Sequence, residues 1–229
     1  MSFHRLPDEG PLPPAMIYEP AMRLWHWTNA LCVLVLMVSG YLIGTPLAST
    51  NGDTSVLYSM GWLRFAHLAC GQVMAMLFLG RVYGFFAGNE YARQLFLPEI
   101  WRREWTDGLL TLIAWNLFLL KRPIRYIGLN PLANLAMLAL FVVPTVVTIL
   151  TGFAMLAEVK GHESWQYAVF GWMVSIFGNT LDLHIIHRLG MWVLVCFVMM
   201  HIYTAVREDI VSRQTMVSTM LSGERVYRR

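Results

Sequence analysis

Residues 183–206 read LHIIHRLGMWVLVCFVMMHIYTAV, an almost wholly apolar run with His184 and His187 near one end and His201 near the other. Its length predicts a helix that crosses a hydrocarbon core about 30 Å thick. His187 and His201 are 14 residues apart, and at about 100° per residue that interval returns to within roughly 40° of one helix face. At a rise of about 1.5 Å per residue it also separates them by about 21 Å in depth. His184, 17 residues before His201, misses that face by about 100°, so His187 is the better partner in register. Imidazoles are costly in lipid and need a reason to be there.

Working outward, three more apolar stretches are long enough to span, at 24–43, 63–86 and 132–156. The chain has 229 residues, 57% of them hydrophobic and only 14% charged. The expected class is an all-α integral membrane protein built as a four-helix transmembrane bundle. Pro144 falls inside the third span, where it should kink the helix unless neighbours re-satisfy the freed carbonyl. The stretch 109–120 is too short to cross and is flanked by Trp101, Arg102, Arg103 and Trp105 on one side and Lys121-Arg122-Pro123 on the other. It is expected as a cytoplasmic interfacial helix. Residues 1–19, with four prolines, read as a flexible tail lacking the layout of a cleavable signal peptide. Residues 20–210 then form one bundle domain and 211–229 a second tail. No internal repeat stands out.

Cys32, Cys70 and Cys196 all fall in apolar segments, an odd number that argues against a disulfide framework and for small core residues. Without a Cys-x-x-Cys-His string, covalent c-type haem attachment is excluded. The net charge of +3 does not point to nucleic acid, because the basic residues border apolar spans. Their distribution sets the topology. Arg5 and Arg23 precede or open span one; Arg81, Arg93, Arg102, Arg103, Lys121, Arg122 and Arg125 lie between spans two and three; Arg207, Arg213, Arg225, Arg228 and Arg229 follow span four. These are 14 of the 17 basic residues. The opposite side has Lys160, with Arg64 and Arg188 at helix mouths. The positive-inside rule then predicts both termini in the cytoplasm.

With that orientation the four intramembrane histidines sort into two levels, His67 with His187 outside and His26 with His201 inside. Each level draws one imidazole from each of two helices, as an iron with two trans axial ligands requires. Gly71 and Gly190 share a face with His67 and His187, and Gly40, 14 residues after His26, is placed to clear space for an outer macrocycle; helix packing alone also favours such glycines. Arg64 and Arg188 are candidate propionate partners at the outer level and Arg23 at the inner one, or else snorkelling interfacial residues. His4 and His162 are expected in solvent, and His184 at the outer rim. On pattern alone the histidines fit two non-covalent b-type haems best, a proton or metal path or plain packing being the other readings.

The strings Arg23-Leu24-Trp25-His26-Trp27, Arg64-Phe65-Ala66-His67, His187-Arg188-Leu189-Gly190 and His201-Ile202-Tyr203 resemble the b-type cytochrome subunits of membrane-bound nickel–iron uptake hydrogenases. So do Gly88-Asn89-Glu90-Tyr91-Ala92-Arg93 and Ala205-Val206-Arg207-Glu208-Asp209-Ile210. The likeness runs from about Tyr18 to Gly223, and formate dehydrogenase gamma subunits look like more distant relatives. It implies an anchor and electron conduit in the bacterial inner membrane. The partner would be the small and large subunits of a periplasmic nickel–iron hydrogenase. Electrons would enter the haem at His67 and His187, cross to the haem at His26 and His201, and reduce a membrane quinone. The hydrogen-splitting centre would belong to the partner, since this chain has no thiolate cluster to hold it. Arg207, Glu208 and Asp209 would be placed to aid quinone protonation. A dihaem subunit of another quinone-linked enzyme, such as formate dehydrogenase, or a haem-free histidine-containing anchor or transporter, are the alternatives.

Overall fold

The computed structural model describes residues 15–46, 58–88, 93–120, 126, 129–211 and 215–226. His4, Arg5, Lys121, Arg122, Arg125, Arg213, Arg228, Arg229 and residues 89–92 of the motif after span two lie outside the described residues. The elements are β1 (Ala15–Met16), α1 (Pro20–Gly44), α2 (Ser59–Ala87), α3 (Arg103–Asn116) and α4 (Pro131–Met137). A π-helical turn, Leu138–Val142, leads into α5 (Val143–Lys160), followed by α6 (Trp165–Phe170), α7 (Trp172–Phe177), α8 (Thr180–Val211), α9 (Met216–Ser222) and β2 (Glu224–Arg225). Among the described residues, four helices are long and apolar enough to cross a membrane: α1, α2, the continuous run Pro131–Lys160, and α8.

These helices outrun the apolar stretches of the sequence by one to five residues at each end. Hydropathy measures only the lipid-immersed part, whereas backbone hydrogen bonding carries a helix on into polar surroundings. Their outward side chains are large and apolar, as with Leu31, Leu34, Val38, Leu79, Leu189 and Met199. Such continuous apolar exposure suits a helix solvated by lipid rather than by water. Pro144 does not break its span. It lacks the N–H that would bond the carbonyl four residues back, and the widened π turn stands immediately before it, where the mismatch must be absorbed.

The chain's contacts group into two compact units. One comprises Trp27–Gly80 and Val143–Val195, the other Met1–His26, Arg81–Val142 and Cys196–Arg229. In the first, Ala154, Met173 and Leu183 form a buried core edged by Leu150, Met155, Phe170, Val174 and Phe177. Phe153 stacks on Phe170 with ring centroids 5.0 Å apart, which ties α6 to α5. The positive φ of Gly178, 82°, ends α7 and turns the chain into α8. Gly190 is buried where α8 meets α5, and a Cβ there would stand 2.5 Å from Thr148 Cγ2.

In the second unit β1 and β2 pair antiparallel, Ala15 with Arg225 and Met16 with Glu224. Ile17 is buried, and its N–H donates to the Gly223 carbonyl at 2.9 Å. Residues 15–18 are thus tied to the C-terminal segment rather than forming the end of a flexible tail, because a short ladder and one apolar anchor replace solvent contacts. The α3 helix starts and stops earlier than the apolar run 109–120. Charged residues, Arg103 and Glu104, make its first turn, and the chain leaves the helix at Leu117 and Phe118, the latter at φ 61°. Trp105, Leu112 and Trp115 are its buried face. Asn130 caps α4 by accepting from the Ala133 N–H at 2.7 Å, with Pro131 opening the helix. Asn134, fully buried, donates to the Gln94 carbonyl.

The Gly190 contact yields a stability prediction. Gly190→Leu is expected to force α5 and α8 apart and to cost ~1–3 kcal/mol, with Gly190→Ala falling between it and the parent. Thermal unfolding of the detergent-solubilised protein reads the order.

Candidate functional site

His67 projects from α2 and His187 from α8, with ring centroids 6.2 Å apart and ring planes at 68°. His26 projects from α1 and His201 from α8, with centroids 6.3 Å apart and planes at 49°. Each compact unit contains one of these pairs. All four rings are half-buried. The separations are too long for a direct hydrogen bond between rings and too regular for loose packing.

Around His67 and His187 the neighbouring helices repeat one arrangement. Ser39 Oγ of α1 lies 2.9 Å from His67 Nδ1, and Thr151 Oγ1 of α5 lies 2.9 Å from His187 Nδ1. In both cases the next residue is glycine. A Cβ on Gly40 would come within 3.1 Å of His67 Cε1, and one on Gly152 within 3.2 Å of His187 Cε1. The hydroxyl satisfies a ring nitrogen that lipid cannot, an omission that would cost ~1–3 kcal/mol, and the glycine admits the edge of the ring.

The glycines read from the sequence therefore divide. Gly40 clears room for the His67 imidazole. Gly190 is a helix-packing contact. Gly71, one turn after His67, is half-buried, and a Cβ there would meet no atom within 4 Å. Ser39, Thr151 and Gly152 escaped the sequence reading altogether. The signal was a hydroxyl-glycine dipeptide recurring in spans one and three, Ser39-Gly40 and Thr151-Gly152.

The arginines are differently placed. Arg64 is exposed, one turn before His67. Arg188, also exposed, donates to the Gly44 carbonyl at 3.4 Å, at the negative end of the α1 dipole. Arg23 donates to the Leu221 carbonyl near the end of α9. Arg81, read from the sequence only as a topology marker, is buried. Its guanidinium lies 5.6 Å from the ring centroid of Trp25, the neighbour of His26, and 5.5 Å from that of Phe96.

His184 is exposed, and its Nδ1–H donates to the Thr180 carbonyl at 2.8 Å. His162 is exposed too, 4.1 Å from the Tyr167 ring. Arg207 sits over Trp115 and Phe118 at 5.3 and 5.5 Å and donates to Asn116 Oδ1 at 3.0 Å. Glu208 pairs with it at 3.5 Å, and Asp209 Oδ1 accepts from the Val217 N–H at 3.3 Å. The cluster thus joins α8 to α3 and α9.

Apolar spanning helices that present imidazoles in facing pairs are the architecture of a membrane b-type cytochrome. The chain belongs to the prokaryotic cytochrome b561 family, whose family model matches residues 17–223. It is 51% identical over 212 residues to the probable Ni/Fe-hydrogenase B-type cytochrome subunit of Azotobacter vinelandii, covering 93% of this chain and 88% of that one. The protein of the same name from Rhizobium leguminosarum bv. viciae is 45% identical, with 93% and 89% covered. The probable Ni/Fe-hydrogenase 1 B-type cytochrome subunit of Escherichia coli K12 is 44% identical, with 93% and 91% covered.

The geometry accommodates haem. A metal–imidazole bond is about 2 Å, and a ring of bonds near 1.35 Å puts each nitrogen about 1.15 Å from its centre. Two imidazoles trans on one iron therefore have centroids about 6.3 Å apart, beside which 6.2 and 6.3 Å stand. No group of three or more His, Cys, Asp or Glu side chains among the described residues is gathered to hold a metal ion. With haem, His67 with His187 and His26 with His201 would be the residues that hold the iron.

Gly71 separates ligand room from protein packing. Gly71→Val is expected to leave the thermal stability of haem-free protein unchanged while lowering haem b per polypeptide, measured by pyridine haemochrome. Gly40→Val and Gly152→Val, which press on the ring itself, should lower both.

Proposed function

We propose that the chain anchors a nickel–iron hydrogenase in the bacterial inner membrane and carries its electrons to membrane quinone. Two haems b would be held by His67 with His187 and by His26 with His201. The ring separations of the two pairs, 6.2 and 6.3 Å, carry the haem assignment. The names of relatives 44–51% identical support the hydrogenase partner over a formate dehydrogenase. Placing both termini in the cytoplasm, by the distribution of Lys and Arg, puts His67 and His187 on the periplasmic side beside the hydrogenase small and large subunits.

Haem b, when bound, supplies reversible one-electron exchange. The chain's own residues decide what that exchange can do. Each haem would be held by two imidazoles of this chain, which favours electron transfer over oxygen chemistry. Apolar helices keep the site at low dielectric, and Ser39 and Thr151 bond the rings of His67 and His187, which would hold the iron. Arg64 and Arg188 would meet propionates at the level of His67 and His187, and Arg23 at the level of His26 and His201. On the cytoplasmic side, Arg207, Glu208 and Asp209 would bind or protonate quinone.

Reduced-minus-oxidised spectra of purified protein should show b-type absorbance with two haems per chain; a spectrum without it refutes the assignment. His67→Ala and His201→Ala are each expected to remove one haem and retain the other. Co-purification followed by quinone reduction under hydrogen should give turnover with the hydrogenase bound, and none with formate as donor.

A further inference from the structure

The two hydroxyls beside the histidine rings have only one proton each, and its direction can be read. Ser39 Oγ lies 2.6 Å from the Val35 carbonyl, and Thr151 Oγ1 lies 2.7 Å from the Val147 carbonyl. A carbonyl oxygen can only accept, so at that distance the hydroxyl proton must point to it; otherwise two oxygens would face each other with no proton between them. The hydroxyl oxygen is then left to accept, and the proton shared with the imidazole must come from Nδ1. Both rings are thus held with Nδ1 protonated and the Nε2 lone pair turned away from the cradle. Gly40 and Gly152 allow this close approach on the Nδ1–Cε1 edge.

We propose that Ser39 and Thr151 are positioning residues that select the Nδ1–H tautomer of His67 and His187 and thereby set the reduction potential of the haem these histidines hold. The inference rests on the proposed haem ligation. A hydrogen bond accepted from Nδ1–H makes the ring a stronger electron donor through Nε2. A stronger donor favours the ferric state and lowers the potential, second-shell hydrogen bonding being one of the protein's levers on haem iron. The opposed placement, one hydroxyl from α1 on one ring and one from α5 on the other, means both axial ligands of a single haem are tuned alike.

The test is a redox titration of the full chain in detergent, following the b-type absorbance. The parent should titrate as two components. Thr151→Val keeps the side-chain shape but removes the acceptor, and Ser39→Ala removes it on the other ring. Each is expected to move one component to higher potential and leave the other in place, the double variant moving the same component further. Thr151→Ser and Ser39→Thr should titrate like the parent. Loss of that haem in Thr151→Val with retention in Thr151→Ser also supports the assignment, since only the hydroxyl distinguishes their hydrogen bonding. Variants that keep both haems with unmoved potentials overturn the inference alone, as does a Thr151→Ser variant that behaves like Thr151→Val. A parent without b-type absorbance overturns the ligation and this inference together.

Discussion

An imidazole inside a membrane has two ring nitrogens and no water to satisfy either. Each nitrogen needs a protein partner or a metal, or the ring is expensive to keep there. Much of the local construction follows from that requirement at His67 and His187. One nitrogen meets a hydroxyl whose own proton is already committed to its helix backbone. The ring as a whole stands opposite that of the other histidine. Turning the ring over would lose that hydrogen bond.

That arrangement explains the use of very small residues on otherwise bulky apolar helices. Gly40 and Gly152 admit rings, Gly190 admits Thr148 of α5, and Gly71 leaves a half-buried opening beside a histidine. Glycine weakens a helix in water by roughly 1 kcal/mol relative to alanine, a cost that close packing in lipid offsets. The aromatic residues have a different task. Trp25 and Phe96 flank Arg81, and Trp115 and Phe118 flank Arg207, so cations close to membrane depth sit against π faces rather than open hydrocarbon.

The spanning helices were legible because lipid demands a long apolar run, and a run of that kind has few other readings. Helical periodicity puts His187 rather than His184 in register with His201, and in the structure His184 bonds its own helix while His187 stands opposite His67. Other features were not legible. Residues 15–18 carry a proline-rich approach and look like a tail, yet their pairing with residues 223–225 depends on a strand from the far end of the chain. The early end of α3 depends on a backbone turn at Phe118 that hydropathy does not register. Arg23 and Arg188 reach the carbonyls of Leu221 and Gly44, 198 and 144 residues away, contacts that no local pattern announces.

Sequence by itself determined the class of protein, the four spans and the helix faces on which the histidines lie, because these depend on local composition and on a fixed helical pitch. It also carried the family likeness, through short strings around each histidine. Only the tertiary structure decided which side chains serve those histidines. Ser39 and His67 are 28 residues apart, and Thr151 and His187 are 36 apart, on different helices in each case. No local rule relates them, since a hydroxyl on an apolar helix reads the same whether it bonds only its own backbone or also holds a ring on the helix beside it.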